Sequence, residues 1–181
     1  MPTLICRLFH GLRRTKMVIL GLGTNLGDRE QTLRQAVLEL KALLSQVICS
    51  PVYESPALLP ETAPKDWDMP FLNMAVRGES TFTPKALLAE IQALERKLGR
   101  EKRGHWSPRE IDIDILACDG VIINEPTLTV PHQALLKRDF ALIPLADIVP
   151  EWVYPGRDGK MAHELATQMA SQLKRTDLVI A

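Results

Sequence analysis

Residues 111–116 read Ile-Asp-Ile-Asp-Ile-Leu, and this alternation constrains the fold more than any other stretch of the chain. Ile111, Ile113 and Ile115 recur with period two, the signature of a strand with one buried face. Asp112 and Asp114 must then project from the other face. Aspartate is depleted from strands, because its short polar side chain competes for backbone hydrogen bonds and packs poorly on a pleated surface. Side chains two residues apart on a strand sit roughly 6.5 Å apart. Two carboxylates at that spacing repel each other unless a cation lies between them.

The elements around this strand alternate in type. Residues 17–23, MVILGLG, form a β-rich apolar run bounded by glycine and Asn25. The run 28–46 places Leu33, Val37, Leu40 and Leu44 at helical spacing, with Asp28 as its cap. Residues 47–55 read as one strand bulged at Pro51, and 58–70 as a proline-rich loop of the length that accompanies function or disorder. Residues 71–80 supply a third strand. Thr83 and Pro84 open a second helix, with Leu87, Ile91, Leu94 and Leu98 turned inward and Gly99 ending it. After the aspartate strand, Asp119-Gly120 predicts a hairpin returning through residues 121–124. A proline-marked segment, 128–155, leads to a final amphipathic helix near 162–174. The order β-α-β-β-α-β plus a hairpin strand predicts a ferredoxin-like α+β fold, an antiparallel sheet with helices packed on one face.

Composition narrows the function classes. The 181 residues are 46% hydrophobic and 24% charged, which describes an ordinary soluble globule with room for a sizeable core. Twenty-two basic residues balance twenty-two acidic ones, so no global field draws nucleic acid or an anionic membrane, and affinity for anions must be local. No apolar run approaches the ~18 residues of a membrane span. Cys6, Cys49 and Cys118 form no CxxC and fit a reducing cytoplasm. Residues 1–16 are basic and lack acids. They read as an N-terminal extension ahead of a single domain spanning 17–181.

Two motifs bear on chemistry. GLGTNLGD (21–28) has glycines after a strand and before a helix, but its spacing is GxGxxxG, not the GxGxxG of dinucleotide sites, and it reads as a tight turn feeding a helix. The second motif is stronger. Arg96, Lys97, Arg100, Lys102, Arg103 and Arg109 fall within fourteen residues, with His105 and Trp106 among them, directly before the paired aspartates. A charge run is usually a solvated loop. Cations tethered to paired carboxylates are, however, what a polyphosphate with bound magnesium requires, since carboxylate oxygens hold the metal and basic side chains take the remaining phosphate charge. Zinc is disfavoured because no His or Cys cluster has ligand spacing.

GLGTNLGD, VYESPAL, FLNMAV, HWSPREIDIDIL and LTVPHQALLKRDFALIPLADIVPEW occur in that order over about residues 17 to 158, and together they resemble the 6-hydroxymethyl-7,8-dihydropterin pyrophosphokinase family of folate biosynthesis. The resemblance implies transfer of diphosphate from ATP to the pterin hydroxymethyl group with release of AMP, by a cytoplasmic monomer acting on small molecules, not on nucleic acid or membranes. It implies that Asp112 and Asp114 hold two magnesium ions, and that Arg100 and Arg109 contact the phosphates. Gln92, Glu95, Lys102, Trp106, Ile115, His132 and Arg138 would surround the nucleotide, with Leu128 and Thr129 meeting its base and ribose through their backbones. Asn73 would read the pterin's amide edge, helped by Ser55, Pro56 and Leu58. Phe71 and Phe140 would sandwich the ring, and Trp106 would close over it. Such roles suit the side chains, because stacking holds a flat heteroaromatic ring and an amide donates and accepts at once.

Two other readings compete. A ferredoxin-like RNA-binding module would want exposed sheet aromatics and a basic face, against 5% aromatics and zero net charge. A γ-phosphoryl kinase shares the metal logic but needs a glycine loop and lysine that the chain lacks.

Overall fold

Strand β1 (Lys16–Thr24) opens a sheet in the computed structural model, which describes residues 15–104, 106–156 and 159–180. Val18, Leu20 and Leu22 bury one face of β1. Asp28 then caps helix α1 (Arg29–Leu40), its Oδ1 accepting from the Gln31 N–H at 3.0 Å. The helix ends at Leu40, earlier than its apolar spacing predicts. Leu44 is still buried, but from beyond the helix, where its Cβ packs on Gly78 so closely that a Cβ added there would lie 2.9 Å away.

The predicted strand 47–55 is two strands, β2 (Ser45–Cys49) and β3 (Tyr53–Ser55). Both pair antiparallel with β4 (Phe71–Ser80). Between them Pro51 has no N–H to give the ladder. Ser50 keeps the two halves in line by donating its N–H to the Ala75 carbonyl and accepting the Ala75 N–H on Oγ, both at 2.9 Å.

Helix α2 (Pro84–Lys97) begins where Thr83 Oγ1 accepts from the Ala86 N–H. It buries Leu87, Ile91 and Leu94, and stops before Gly99, whose φ of +90° suits glycine. Strand β5 (Asp112–Cys118) runs antiparallel to β1. The ladder shifts register beside Leu20, and the extra residue turns both Leu116 and Ala117 to the face opposite Ile115 and Cys118.

Sheet order is β5-β1-β4-β3-β8, with β2 also on β4 and β8 (Lys174–Arg175) at the edge. The order β5-β1-β4-β3 is the ferredoxin-like arrangement, because β4 inserts antiparallel between the two strands that α1 connects.

The hairpin after β5 differs from expectation. Gly120 (φ +63°) makes the turn, but β6 (Ile123–Glu125) pairs with β7 (Leu128–Val130), not with β5. The outer edge of β5 is engaged elsewhere, by Glu95 Oε1 on the Ile113 N–H and by the His132 N–H on the Leu116 carbonyl.

Helices also cover both faces, not one. Against α1 and α2 lies the core of Leu20, Leu22, Met74, Ile113 and Ile115. On the other face Ile19, Ala75, Leu116 and Ala117 pack under α3 (Asp139–Ile148) and α4 (Ala162–Thr167). The α3 helix escapes the sequence reading because Pro144 lies inside it and its residues are too uniformly apolar to show a period. The final helix is short, ending at Thr167 where 162–174 was expected. None of the described helices is long and apolar enough to cross a membrane.

Candidate active site

The α3 face of the sheet is only half covered, and the open half carries the paired aspartates. In the ladder, Asp112 lies opposite Gly23 and Asp114 opposite Gly21, while Gly23 lies opposite Asn73 on β4. The two glycines therefore belong to the strand, as the run 17–23 predicts, and not to the turn that the glycine spacing of 21–28 suggests. They form the floor of a cavity of about 260 Å³, bounded by Asp112 and Asp114 on one side and Asn73, Ser55 and Phe71 on the other. A Cβ at Gly23 would stand 3.3 Å from Asn73 Oδ1, and one at Gly21 would stand 3.2 Å from the Leu116 side chain. Only Gly27, with φ +71°, occupies the turn. The missed signal was the two-residue spacing of Gly21 and Gly23 inside a strand, which bares backbone on one face.

On the aspartate side, Arg100 Nη1 donates to Asp112 Oδ1 at 2.7 Å, and Arg109 Nη1 donates to Asp112 Oδ2 at 2.8 Å. Arg100 also pairs with Glu95, which accepts the Ile113 N–H at 2.7 Å. Glu95 is thus a buried brace between α2 and β5. Burial raises its carboxyl above the ordinary range, opposed by the Ile113 N–H and the Arg100 charge. Burial, and next the charge of Asp112, push the Asp114 carboxyl up as well.

His132 faces the same cavity. Its Nδ1 accepts from the Ala134 N–H at 3.2 Å, so the neutral ring carries its proton on Nε2. Burial lowers its pKa, against the pull of Asp114. The Arg138 guanidinium stands 5.7 Å over the Phe140 ring.

On the other side the surroundings are largely apolar. Asn73 and Ser55 are 4% and 6% exposed, and Asn73 Nδ2 donates to Ser55 Oγ at 2.9 Å. Phe71, Phe140, Pro56 and Leu58 line the space, with Trp106 (φ +66°, half exposed) above it.

Most predicted site residues therefore meet. Ser55, Pro56, Leu58, Phe71, Asn73, Trp106, Arg109, Asp112, Asp114, His132, Arg138 and Phe140 line one cavity, and Glu95 and Arg100 join it through Asp112 and Ile113. Five others stand apart. Gln92 and Lys102 are exposed outside the cavity, Ile115 and Leu128 are buried in the core against α1 and α2, and Thr129 sits on β7. Of the remaining clustered cations, Lys97 pairs with Glu39 and Arg103 with Glu101 and Glu110. His105 lies outside the described residues.

One face of the α+β sheet thus carries paired carboxylates, two arginines and two phenylalanines around one cavity. The family model described as 7,8-dihydro-6-hydroxymethylpterin-pyrophosphokinase (HPPK) matches residues 19–150, and the chain belongs to that family. The 2-amino-4-hydroxy-6-hydroxymethyldihydropteridine pyrophosphokinase of Aquifex aeolicus is 40% identical over 138 residues, which cover 76% of this chain and 83% of the relative. That of Methylorubrum extorquens is 39% identical, covering 76% and 85%. The folate synthesis bifunctional protein of Chlamydia caviae is 36% identical over 83% of this chain, and there the chain spans only 36% of the relative's length. The crystal structure of wild-type Plasmodium falciparum HPPK-DHPS has the same fold, with a TM-score of 0.62 at 16% identity over 85% of this chain and 44% of its own.

Proposed function

We propose that this chain transfers diphosphate from ATP to the hydroxymethyl group of 6-hydroxymethyl-7,8-dihydropterin, releasing AMP, as a step of folate biosynthesis. One observation carries the reading within this family: the aromatic slot and the carboxylate pair share a single cavity on one sheet face.

Phe71 and Phe140 are suited to hold the pterin by stacking, with the Arg138 guanidinium 5.7 Å from the Phe140 ring. Asn73 Nδ2 is already bonded to Ser55, and Oδ1, over Gly23, remains to accept from the pterin's N–H edge. The bare backbone of Gly21 and Gly23 leaves room for a flat ring against the sheet. Arg100 and Arg109, which each hold one oxygen of Asp112 through Nη1, would exchange part of that hold for phosphate oxygens. His132 lines the cavity, and with Nδ1 accepting from Ala134 its Nε2–H is left as a neutral donor suited to a phosphate oxygen.

Asp112 and Asp114 suit magnesium. Among the described residues no group of three or more His, Cys, Asp or Glu gathers to hold a metal, and magnesium binds through one or two carboxylates together with substrate phosphates. Bound there, it would neutralise charge developing on the transferred group. Two ions, a monomeric state and a cytoplasmic location belong to the same proposal.

The test is the identity of the nucleotide product. With ATP, magnesium and the pterin alcohol, chromatography is expected to show one AMP per pterin consumed. Stoichiometric ADP would overturn the proposal.

A further inference from the structure

We infer that Asn25 is a positioning residue that couples the phosphate side of the cavity to the pterin side, an inference that rests on the function proposed above. Asn25 follows β1 immediately, is 4% exposed, and uses its whole amide. Its Oδ1 accepts the Arg109 N–H at 2.9 Å, and its own N–H donates to the Arg109 carbonyl at 3.2 Å. Its Nδ2 donates to the Met69 carbonyl at 3.1 Å. One side chain thus grips the backbone of the arginine that holds Asp112, and the backbone two residues before Phe71.

These contacts are made with main-chain atoms, so they fix where side chains start and not only how they rotate. Arg109 reaches Asp112 from a backbone that Asn25 brackets from both sides. The corner at 69–70, by which the chain enters β4 and sets Phe71 on the cavity wall, has a second hold. Arg29 Nη1 donates to the Pro70 carbonyl at 2.8 Å and pairs with Glu54 at 3.2 Å. Arg29 acts on the pterin side alone, whereas Asn25 acts on both. A carboxamide supplies acceptor and donor from two separate atoms, so it can serve two backbone partners on different segments at once. Aspartate keeps the acceptor for Arg109 and loses the donor to Met69, and alanine loses both.

The experiment compares Asn25→Ala, Asn25→Asp and Arg29→Ala with the wild-type protein. Calorimetric titration uses two probes, 6-hydroxymethylpterin and α,β-methylene-ATP with magnesium, alongside turnover and melting temperature. AMP release by the wild type is measured first. Its failure would strike the proposed function, while the variants judge only the coupling.

Asn25→Ala is expected to lower kcat by about 100-fold, the scale of a misplacement of about 1 Å, and to weaken both probes. Asn25→Asp is expected to bind the nucleotide probe like wild type and the pterin probe about tenfold more weakly, the scale of one lost hydrogen bond. Arg29→Ala should weaken the pterin probe alone. Should Asn25→Ala fail to fold, Asn25→Asp carries the decision. Equal weakening of both probes in Asn25→Asp, wild-type kcat in Asn25→Ala, or losses in all three variants that follow melting temperature alone would each overturn the inference.

Discussion

The cavity has a neutral half, which the proposed function assigns to the pterin, and a charged half, which it assigns to the phosphates. This pterin half and phosphate half share one sheet face but are built on different terms. In the pterin half, Asn73 and Ser55 are buried and satisfy one another, and Phe71 and Asn73 project from β4, a strand paired on both sides. In the phosphate half, the charges satisfy one another: Arg100 and Arg109 share Asp112, and Glu95 holds Arg100. The difference teaches how each half must act. A neutral, well-packed surface recognises its ligand by shape and one open acceptor. A cluster of opposite charges can take a polyphosphate only by exchanging internal ion pairs for new ones, which suits a half whose interactions change as charge moves.

The comparison breaks most sharply at the carboxylates. Asp112→Asn and Asp114→Asn are each expected to leave the fold intact, because the amide is nearly isosteric and the core lies on the isoleucine face. Turnover should fall by several orders of magnitude, since an amide is a far poorer magnesium ligand. Titration with the pterin alone should change little. Normal melting with near-normal turnover would mean that these acids do not serve the reaction.

Glu95 tests whether the phosphate half depends on an internal brace. Glu95→Ala leaves the Ile113 N–H without its partner and frees Arg100 from one of its two acids. Urea unfolding should show a loss of about 2–3 kcal/mol, as for a buried hydrogen-bonded charge. Gln92→Ala, one turn away and exposed, should show none. Equal effects would deny Glu95 its bracing role.

Asn73→Ala addresses the opposite half. It is expected to weaken pterin binding by about 1–2 kcal/mol, the scale of an unmet polar edge, while nucleotide binding stays at the wild-type level. Equal losses for both ligands would show that Asn73 supports the whole cavity and not the pterin half.

The smallest effect is expected at the N-terminus. A chain starting at Met17 lacks only the first strand residue and the Thr15 Oγ1–Glu79 contact among described features, far from both halves. Turnover and melting temperature should be unchanged, and a large fall in either would show that residues 1–16 belong to the working domain.

Legibility in the sequence followed the range of the interactions. Strand β5 with its aspartates, the Asp28 and Thr83 caps and the β-α-β-β-α-β order rest on period and on contacts within a few residues, so they could be read directly. Most residues that the resemblance implies for the site also line the cavity. What the resemblance could not supply was partnership in space. Gly21 and Gly23 looked like turn glycines because only cross-strand register sets them opposite Asp114 and Asp112. The resemblance placed Glu95 near the nucleotide but not as a brace, because the N–H it accepts belongs to Ile113, eighteen residues away. The α3 helix had no readable period because it is covered by the sheet on one side and α4 on another, which removes the polar face a pattern needs. Backbone preference and hydrophobic period are properties of neighbours along the chain, and the sequence by itself determined what depends on them. Register, burial and the exchange of hydrogen bonds between distant strands exist only once the sheet has closed, so the tertiary structure alone decided the floor of the cavity, the brace behind it and the second helical layer.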